Sequence, residues 1–502
     1  MKRSLLLIFL VSSVFAPSQS ILAAGSHPAY AEVGEALQLL AENHINKPTE
    51  PQLVSGALKQ VGEQIGKLKK GTVHPSPEDD TLPELIDQLE EWEQAYRLDE
   101  TLVNRWAING MLTTLQDPHT MFFTKEELKR FEDNVNNQYV GFGFRLRMQE
   151  GQLIIREVFP QSPAAGAGLL PGDHLLQADG IKLTGKSFED AYALLQGKEG
   201  TEALLTIFRP EGKVTRELRL KRAVLSIPEV VSKPFQGQGN IGYIRLDTFG
   251  ADSAQEFQLK LSALVKGSKP VQGLVLDLRD NGGGYLEAAQ DIASLFMEEG
   301  LLTYMQDRNG VEITRWVHNG EDIKIPVKIL VNEGTASASE LLSGALRDHG
   351  VASLVGSKTF GKGSAQQVID LEEGDALKIT LHRYLTPKRT VVDQVGLTPD
   401  IVSNDDVAQV IESLRSLGVK QFQLKESDGD VYINGVDFAV THPLFKATPQ
   451  GIMIRSAVWA SITKNPAQPT TDYLLIPAAD QLPVKLLVAQ KNGETILSFA
   501  EK

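Results

Sequence analysis

Between residues 130 and 140 the spacing of apolar residues changes period, and no single fold class accommodates both halves. Upstream, AEVGEALQLLAENHI, QLVSGALKQVGEQIGKLKKG, LPELIDQLEEWEQAYRL and ETLVNRWAINGMLTTL carry the spacing of amphipathic helices. The polar, proline-containing TVHPSPEDD (72–80) breaks that series as a loop, and DPHTMFF (117–123) closes it. Downstream, short strand-like runs alternate with glycine turns. NIGYIRLDTF (240–249) and VQGLVLDLRD (271–280) read as buried strands with a helical segment between them. Strand and helix signals then alternate to about 402, the pattern of an α/β core. In the last hundred residues NDDVAQVIESLRSLGV is a capped helix, and VYINGVDFAV and VAQKNGETILSF each set Asn-Gly between apolar runs, a strong hairpin signal. The expected chain is multidomain α/β: a helical region at 30–130, a β-rich domain at 138–222, an α/β core at 223–402 and a hairpin-rich module at 403–502. The helices read as packing or dimerisation elements, a homodimer being one expectation, and nothing in them suggests chemistry.

Lys2-Arg3 followed by SLLLIFLVSSVFA (4–16) is too short an apolar run to span a bilayer comfortably. With Ala16 and Ala23-Ala24 as cleavage positions, residues 1–24 read as a secretory signal peptide. An uncleaved signal acting as a membrane tether is the rival reading. Export fits an extracytoplasmic bacterial protein: secreted, periplasmic or attached to the envelope. Fifty basic against 64 acidic residues give a net charge of −14, which argues against a broad nucleic-acid footprint. The absence of cysteine removes disulfides and thiolate metal sites, and no metal or other cofactor is called for.

The run YVGFGF (139–144) precedes a strand, and its glycines allow successive backbone amides to converge on an anion such as a peptide's terminal carboxylate. Taken alone it is equally a glycine-containing strand with a bulge. SPAAGAGLLPGDHLLQADG (162–180) follows, and the stretch 138–222 resembles a PDZ domain, with FEDAYALLQG (188–197) as the helix flanking its groove. That resemblance implies a ligand tail added as an extra strand, contacted by Tyr139, Val140, Gly141, Phe142, Gly143 and Phe144.

KILVNEGTASASELLSGALRDHG (328–350) joins a strand, a small-residue turn and a helix. Thr335, Ser337 and Ser339 compete there, and spacing does not choose among them; a serine at a helix start is most often a cap. A nucleophilic serine needs a base. No G-x-S-x-G elbow is present, so a Ser-Lys pairing is the alternative. Ser461-Ile-Thr-Lys464 fits S-x-x-K formally but lacks the companion motifs and reads as chance. VGSKTFGKGSAQQ (355–367) comes close to a phosphate loop, yet Gly363 replaces the hydroxyl residue and the following SAQQVIDLEEGDALKITLHRYL reads as strand where a phosphate loop needs a helix. Lys362 is better suited to proton transfer, since burial disfavours the ammonium form.

T-A-S-A-S-E (335–340) and T-F-G-K-G-S-A-Q-Q (359–367), with IGYIRLDTF, LDLRDNGGG (276–284), YLTP (384–387), VGLTPDI (395–401) and DPHTMFF, resemble the carboxy-terminal processing, or tail-specific, proteases. The resemblance covers roughly 100–402. It implies Ser337 as nucleophile, Lys362 as general base, Gln366 orienting the lysine, and an oxyanion hole from Gly283 or Gly284 together with Ala338. Asp348 matches an acidic position for which a structural role is favoured. Thr335 stands where serine is commoner and Gly282 where proline is frequent. The implied activity is a secreted serine endopeptidase acting on polypeptides with accessible C-terminal tails; a catalytically silent PDZ scaffold is the alternative. VYINGVDFAV with GIMIRSAVWASI resembles the stalk module of copper-amine-oxidase N-termini, without copper chemistry, although a plain dimerisation hairpin accounts for it equally well.

Overall fold

The computed structural model describes residues 30–501 apart from 72, 74–79, 137, 150, 238, 428–429, 441, 465–471, 477–483 and 492–493. The expected leader at 1–24 and most of the loop at 72–80 lie outside these residues. Among the described residues no helix is long and apolar enough to cross a membrane.

Four helices, Ala31–Asn43, Glu50–Lys69, Leu82–Tyr96 and Glu100–Thr113, occupy the helical region. Thr49 and Asp99 cap the second and fourth by accepting the Gln52 and Leu102 amides, orphan donors that would otherwise go unsatisfied. Their apolar faces meet around Leu40, Leu53, Leu89, Trp92 and Ile108, and they cover Leu377 and Ile379 of a five-stranded sheet. DPHTMFF does not end the helical series: Met121–Phe123 is a short strand of that sheet and a further helix, Lys125–Val135, follows. Lys125–Val135 buries none of its residues, so its highly charged sequence lacks the broad apolar stripe that marks the other four.

The β-rich domain is a sheet of Phe144–Gln149, Gln152–Val158, His174–Ala178, Glu202–Arg209 and Val214–Lys221, with Ile181–Lys182 at its margin. It has its own core around Leu153, Leu175, Leu205 and Ile207. Gln138–Gly141 and Ala223–Ser226, where the chain enters and leaves, pair antiparallel and close its neck. Phe144–Gln149 is an edge strand, so one row of backbone groups is open to an added strand.

The α/β core is a six-stranded sheet in the order Val230–Pro234, Ile241–Leu246, Gly273–Asp277, Val327–Val331, Ala352–Gly356 and Ile401–Val402. The first pair is antiparallel and the others parallel. A parallel sheet is covered on both faces. Here Ser253–Val265, Leu286–Ser294 and Ala338–Asp348 cover one, through Phe257, Ile292 and Leu342. Asp406–Ser416 covers the other, and the same apolar cluster runs on from Tyr243, Val275, Leu330 and Val355 into Leu424, Ile433 and Phe499. The last hundred residues therefore complete the second face of the central sheet.

In that C-terminal part Asp430–Ile433 and Val436–Ala439 form a two-residue hairpin through Asn434 and Gly435, both at positive φ, the backbone a tight right-twisted hairpin requires. Val484–Lys491 pairs with Glu494–Glu501 as the second Asn-Gly implied. The turn residues themselves are outside the described set. Ser461 donates to Glu412 in this packing, which gives the S-x-x-K coincidence an ordinary structural use.

Candidate active site

The carboxyl ends of parallel strands are where open α/β sheets place their ligands. Three turns leave such ends here: 278–285 after Gly273–Asp277, 332–337 after Val327–Val331, and 357–363 after Ala352–Gly356. They carry the glycine run, the hydroxyl residues and Lys362.

The hydroxyls divide by environment. Thr335 is buried and donates to the Leu278 carbonyl at 2.8 Å; Ser339 is buried and donates to the Asn281 carbonyl at 2.9 Å. Ser337 is half-buried, and its hydroxyl donates to no acceptor among the described residues. It precedes Ala338–Asp348 at φ 56° and ψ −119°, a conformation a residue with a Cβ rarely adopts and one that costs on the order of 1–3 kcal/mol. Such strain persists only where neighbours enforce it. The Ser337 amide donates to Glu340 Oε2 at 3.0 Å, and the preceding Ala336 amide donates to the Asn281 carbonyl at 3.0 Å.

Lys362 stands half-buried in the next turn. Burial holds its amine below the ordinary lysine value, partly opposed by Asp117 and Glu340. No hydrogen bond joins Ser337 Oγ to Lys362 Nζ among the described contacts; such bonds often tighten only once substrate is bound. Gln366 donates from Nε2 to Ser364 Oγ at 2.9 Å and to Thr380 Oγ1 at 3.3 Å.

The glycine turn lies directly against the serine. A Cβ on Gly283, at φ +103°, would sit 2.7 Å from Ser337 Cβ and 2.9 Å from the Ala338 nitrogen. The Gly283 amide donates to Asn281 Oδ1 at 2.9 Å, whereas the Gly284 and Ala338 amides meet no acceptor among the described residues. The turn is anchored from below. Arg279 grips Asp277 through Nε at 2.9 Å and Nη2 at 2.6 Å, and donates to the Asp406 carbonyl at 2.9 Å, so the C-terminal helix braces the loop. At the other end of the serine helix, Asp348 accepts the Thr386 hydroxyl and the Lys388 amide, tying that helix to the YLTP turn.

Three contributors escaped the sequence reading. Glu340 accepts the amides of Ser337, Gly361 and Lys362 and the Thr359 hydroxyl. Tyr384 Oη lies 2.6 Å from the Lys362 carbonyl and 3.0 Å from that of Ser337. Both residues stand inside motifs quoted above, but their partners become visible only when distant turns meet. The third is Asp117. Burial works against its charge, but hydrogen bonds from His44, Thr380, Thr120 and the His119 amide overcome it and hold its carboxyl far below the usual range. The helical region, where no chemistry was expected, thus supplies an anion whose field favours the Lys362 ammonium. Lys378, pushed down to about 8 by burial and by Lys362, and His119, lowered by burial and the same lysine, share these surroundings.

In the β-rich domain, Tyr139–Gly141 are committed to the neck ladder and Phe142 is core, under the Arg222 guanidinium. Gly143 forms the turn, its carbonyl accepting the Phe159 amide, and Phe144 opens the edge strand. Phe188 and Tyr192 stack at 6.0 Å on the helix Phe188–Leu195 and remain exposed.

Residues 240–403 match peptidase family S41, and 154–209 match the PDZ domain. The chain is 34% identical over 312 residues to the carboxy-terminal processing protease CtpB of Bacillus subtilis, covering 62% of this chain and 64% of that protein. It is 33% identical over 308 residues to a carboxy-terminal-processing protease of Bartonella bacilliformis, covering 61% and 70%. A solved structure of the photosystem II D1 C-terminal processing protease aligns with a TM-score of 0.45 at 27% identity, over 78% of this chain and 98% of that one. The matches span just under two thirds of CtpB and 58% of a CtpA-like serine protease of Staphylococcus haemolyticus. With its PDZ domain set before an S41 core, the chain belongs to the carboxy-terminal processing protease family.

Proposed function

We propose that the protein is a serine endopeptidase in which Ser337 attacks a peptide carbonyl while Lys362 takes its proton. The observation that carries this reading is the pairing of a serine whose hydroxyl proton meets no acceptor among the described residues, held at a strained helix start, with a lysine whose proton affinity burial has lowered. Attack forms a bond from Oγ to the carbonyl carbon, and the oxyanion meets the Ala338 amide and one from the glycine turn. Each such donor is worth about 3–4 kcal/mol in a preorganised site. As the C–N bond breaks, the Lys362 ammonium returns its proton to the leaving amine. Water, deprotonated by the Lys362 amine now neutral again, then attacks the ester carbonyl, and Lys362 returns that proton to Ser337 Oγ as the C–O bond breaks. Gln366, anchored on Ser364 and Thr380, keeps its carbonyl oxygen for the lysine.

The PDZ domain supplies the substrate class. Its open edge strand, Phe144–Gln149, takes an unfolded C-terminal tail as an added strand, and the adjoining glycine turn receives the terminal carboxylate. Polypeptides with accessible C-termini are the proposed substrates and the extracytoplasmic space the proposed compartment, consistent with the basic start and short apolar run of residues 2–16.

The test incubates the mature protein with an unfolded polypeptide, without nucleotide or added metal, beside Ser337→Ala and Lys362→Ala. Cleavage by the wild type alone is expected. Cleavage surviving both substitutions would sink the dyad, and inactivity of the wild type across several tails would favour a peptide-binding scaffold.

A further inference from the structure

Ser337 and Lys362 come from different turns, so something must set their spacing. Neither side chain reaches the other through a hydrogen bond, and the main chain does the joining instead. One oxygen of Glu340 accepts both amides, Ser337 N at 3.0 Å and Lys362 N at 2.8 Å. One hydroxyl, that of Tyr384, meets both carbonyls, Lys362 O at 2.6 Å and Ser337 O at 3.0 Å. The two turns are therefore bracketed at their amides by a carboxylate and at their carbonyls by a phenol, and neither bracketing group touches the serine hydroxyl.

The polarity of the bracket is fixed by its surroundings. The other Glu340 oxygen accepts the Gly361 amide at 2.8 Å and the Thr359 hydroxyl. Thr359 Oγ1 in turn accepts the Leu397 amide at 2.7 Å, which leaves its own proton for Glu340. Donors alone converge on the carboxylate, so its oxygens fit where an amide NH₂ would not, while burial still raises the carboxyl above its ordinary value. Tyr384 is buried, and its amide donates to the Gly363 carbonyl at 2.8 Å, so its strand is also tied to the lysine turn.

We propose that Glu340 and Tyr384 are positioning residues that fix the separation of the serine and lysine turns, an inference that rests on the dyad reading. The clamp acts on the chemical step and not on substrate binding, because its hydrogen bonds to the two reacting residues go to their main chain. A misplacement near 1 Å costs on the order of 100-fold in rate.

The test compares steady-state cleavage of one unfolded polypeptide by the wild type, Tyr384→Phe, Glu340→Gln and Lys362→Ala, with thermal midpoints measured alongside. Tyr384→Phe removes one oxygen and is expected to lower kcat by roughly 10- to 100-fold with KM within about twofold and an almost unchanged midpoint. Glu340→Gln sets an amide NH₂ among donors and is expected to lower kcat further in the same pattern. Should Glu340→Gln fail to fold, Tyr384→Phe carries the test by itself. Inactive Lys362→Ala beside fully active Tyr384→Phe overturns the clamp alone. A loss confined to KM or to the thermal midpoint overturns it too. Undiminished cleavage by Lys362→Ala overturns the dyad and the clamp with it.

Discussion

Gly283→Ala is the most informative single perturbation of the site, and its neighbour supplies a control. An alanine Cβ at Gly283 would lie 2.7 Å from Ser337 Cβ, 2.9 Å from the Ala336 carbonyl oxygen and 2.9 Å from the Ala338 nitrogen. All three belong to the nucleophile turn, and two are main chain, so the turn must move. The residue also sits at φ +103°, where a side chain adds strain of about 1–2 kcal/mol. Relief by a shift of several tenths of an ångström displaces Ser337 and the Ala338 amide together. Loss of one oxyanion donor is worth about 3 kcal/mol, or roughly 10²–10³ in kcat. Gly282→Ala, one residue earlier, meets nothing within 4 Å and carries no positive φ. In a steady-state peptide-cleavage assay Gly283→Ala is expected to lose roughly 100-fold or more in kcat, while Gly282→Ala stays within about twofold of wild type. Equal activity of the two variants would refute the placement of the glycine turn against the nucleophile.

Two further predictions concern charge. Asp117 raises the proton affinity of Lys362, so Asp117→Asn should move the acid limb of the kcat/KM–pH profile to lower pH; a limb that stays put, or moves up, contradicts the electrostatic link. Glu229 is buried, with Oε2 lacking a partner, and burial together with Glu256 and Asp252 raises its carboxyl from 4.5 to about 7. A raised value means that protonation favours the fold. The associated stability, roughly 3 kcal/mol, is fully present below pH 4.5 and lost as pH rises through 7. Glu229→Gln should therefore gain thermal stability over wild type as pH rises from 4.5 to 8, and a pH-independent difference would remove the argument.

What was legible in the sequence was whatever depends on neighbours along the chain. Helical periodicity marked four helices, the Asn-Gly hairpin at 434–435 formed as its turn chemistry requires, and Ser337 and Lys362 stood inside contiguous motifs whose strand and turn context was readable. The residues that escaped depend on contacts across the fold. Glu340 reads as an ordinary acidic residue in the first turn of a helix, and only the closure of the lysine turn reveals its four donors. Asp117 lies in another region altogether and becomes a neighbour of Lys362 because the strand Met121–Phe123 pairs with Ala376–Leu385. The amphipathic helix Asp406–Ser416 was plain in its periodicity, but a period cannot name the surface that receives its apolar face, here the second face of the central sheet.

Covalent trapping tests whether Ser337 is made nucleophilic by the half-buried Lys362. The wild type, Lys362→Ala and Ser337→Ala would each be exposed to an acylating peptide probe, and the adduct located by intact-mass measurement and peptide mapping. One acyl group per chain is expected, on the peptide containing Ser337, forming faster as pH rises and failing to form in either variant. Acylation at another residue, or labelling of Lys362→Ala at the wild-type rate, would contradict the dyad.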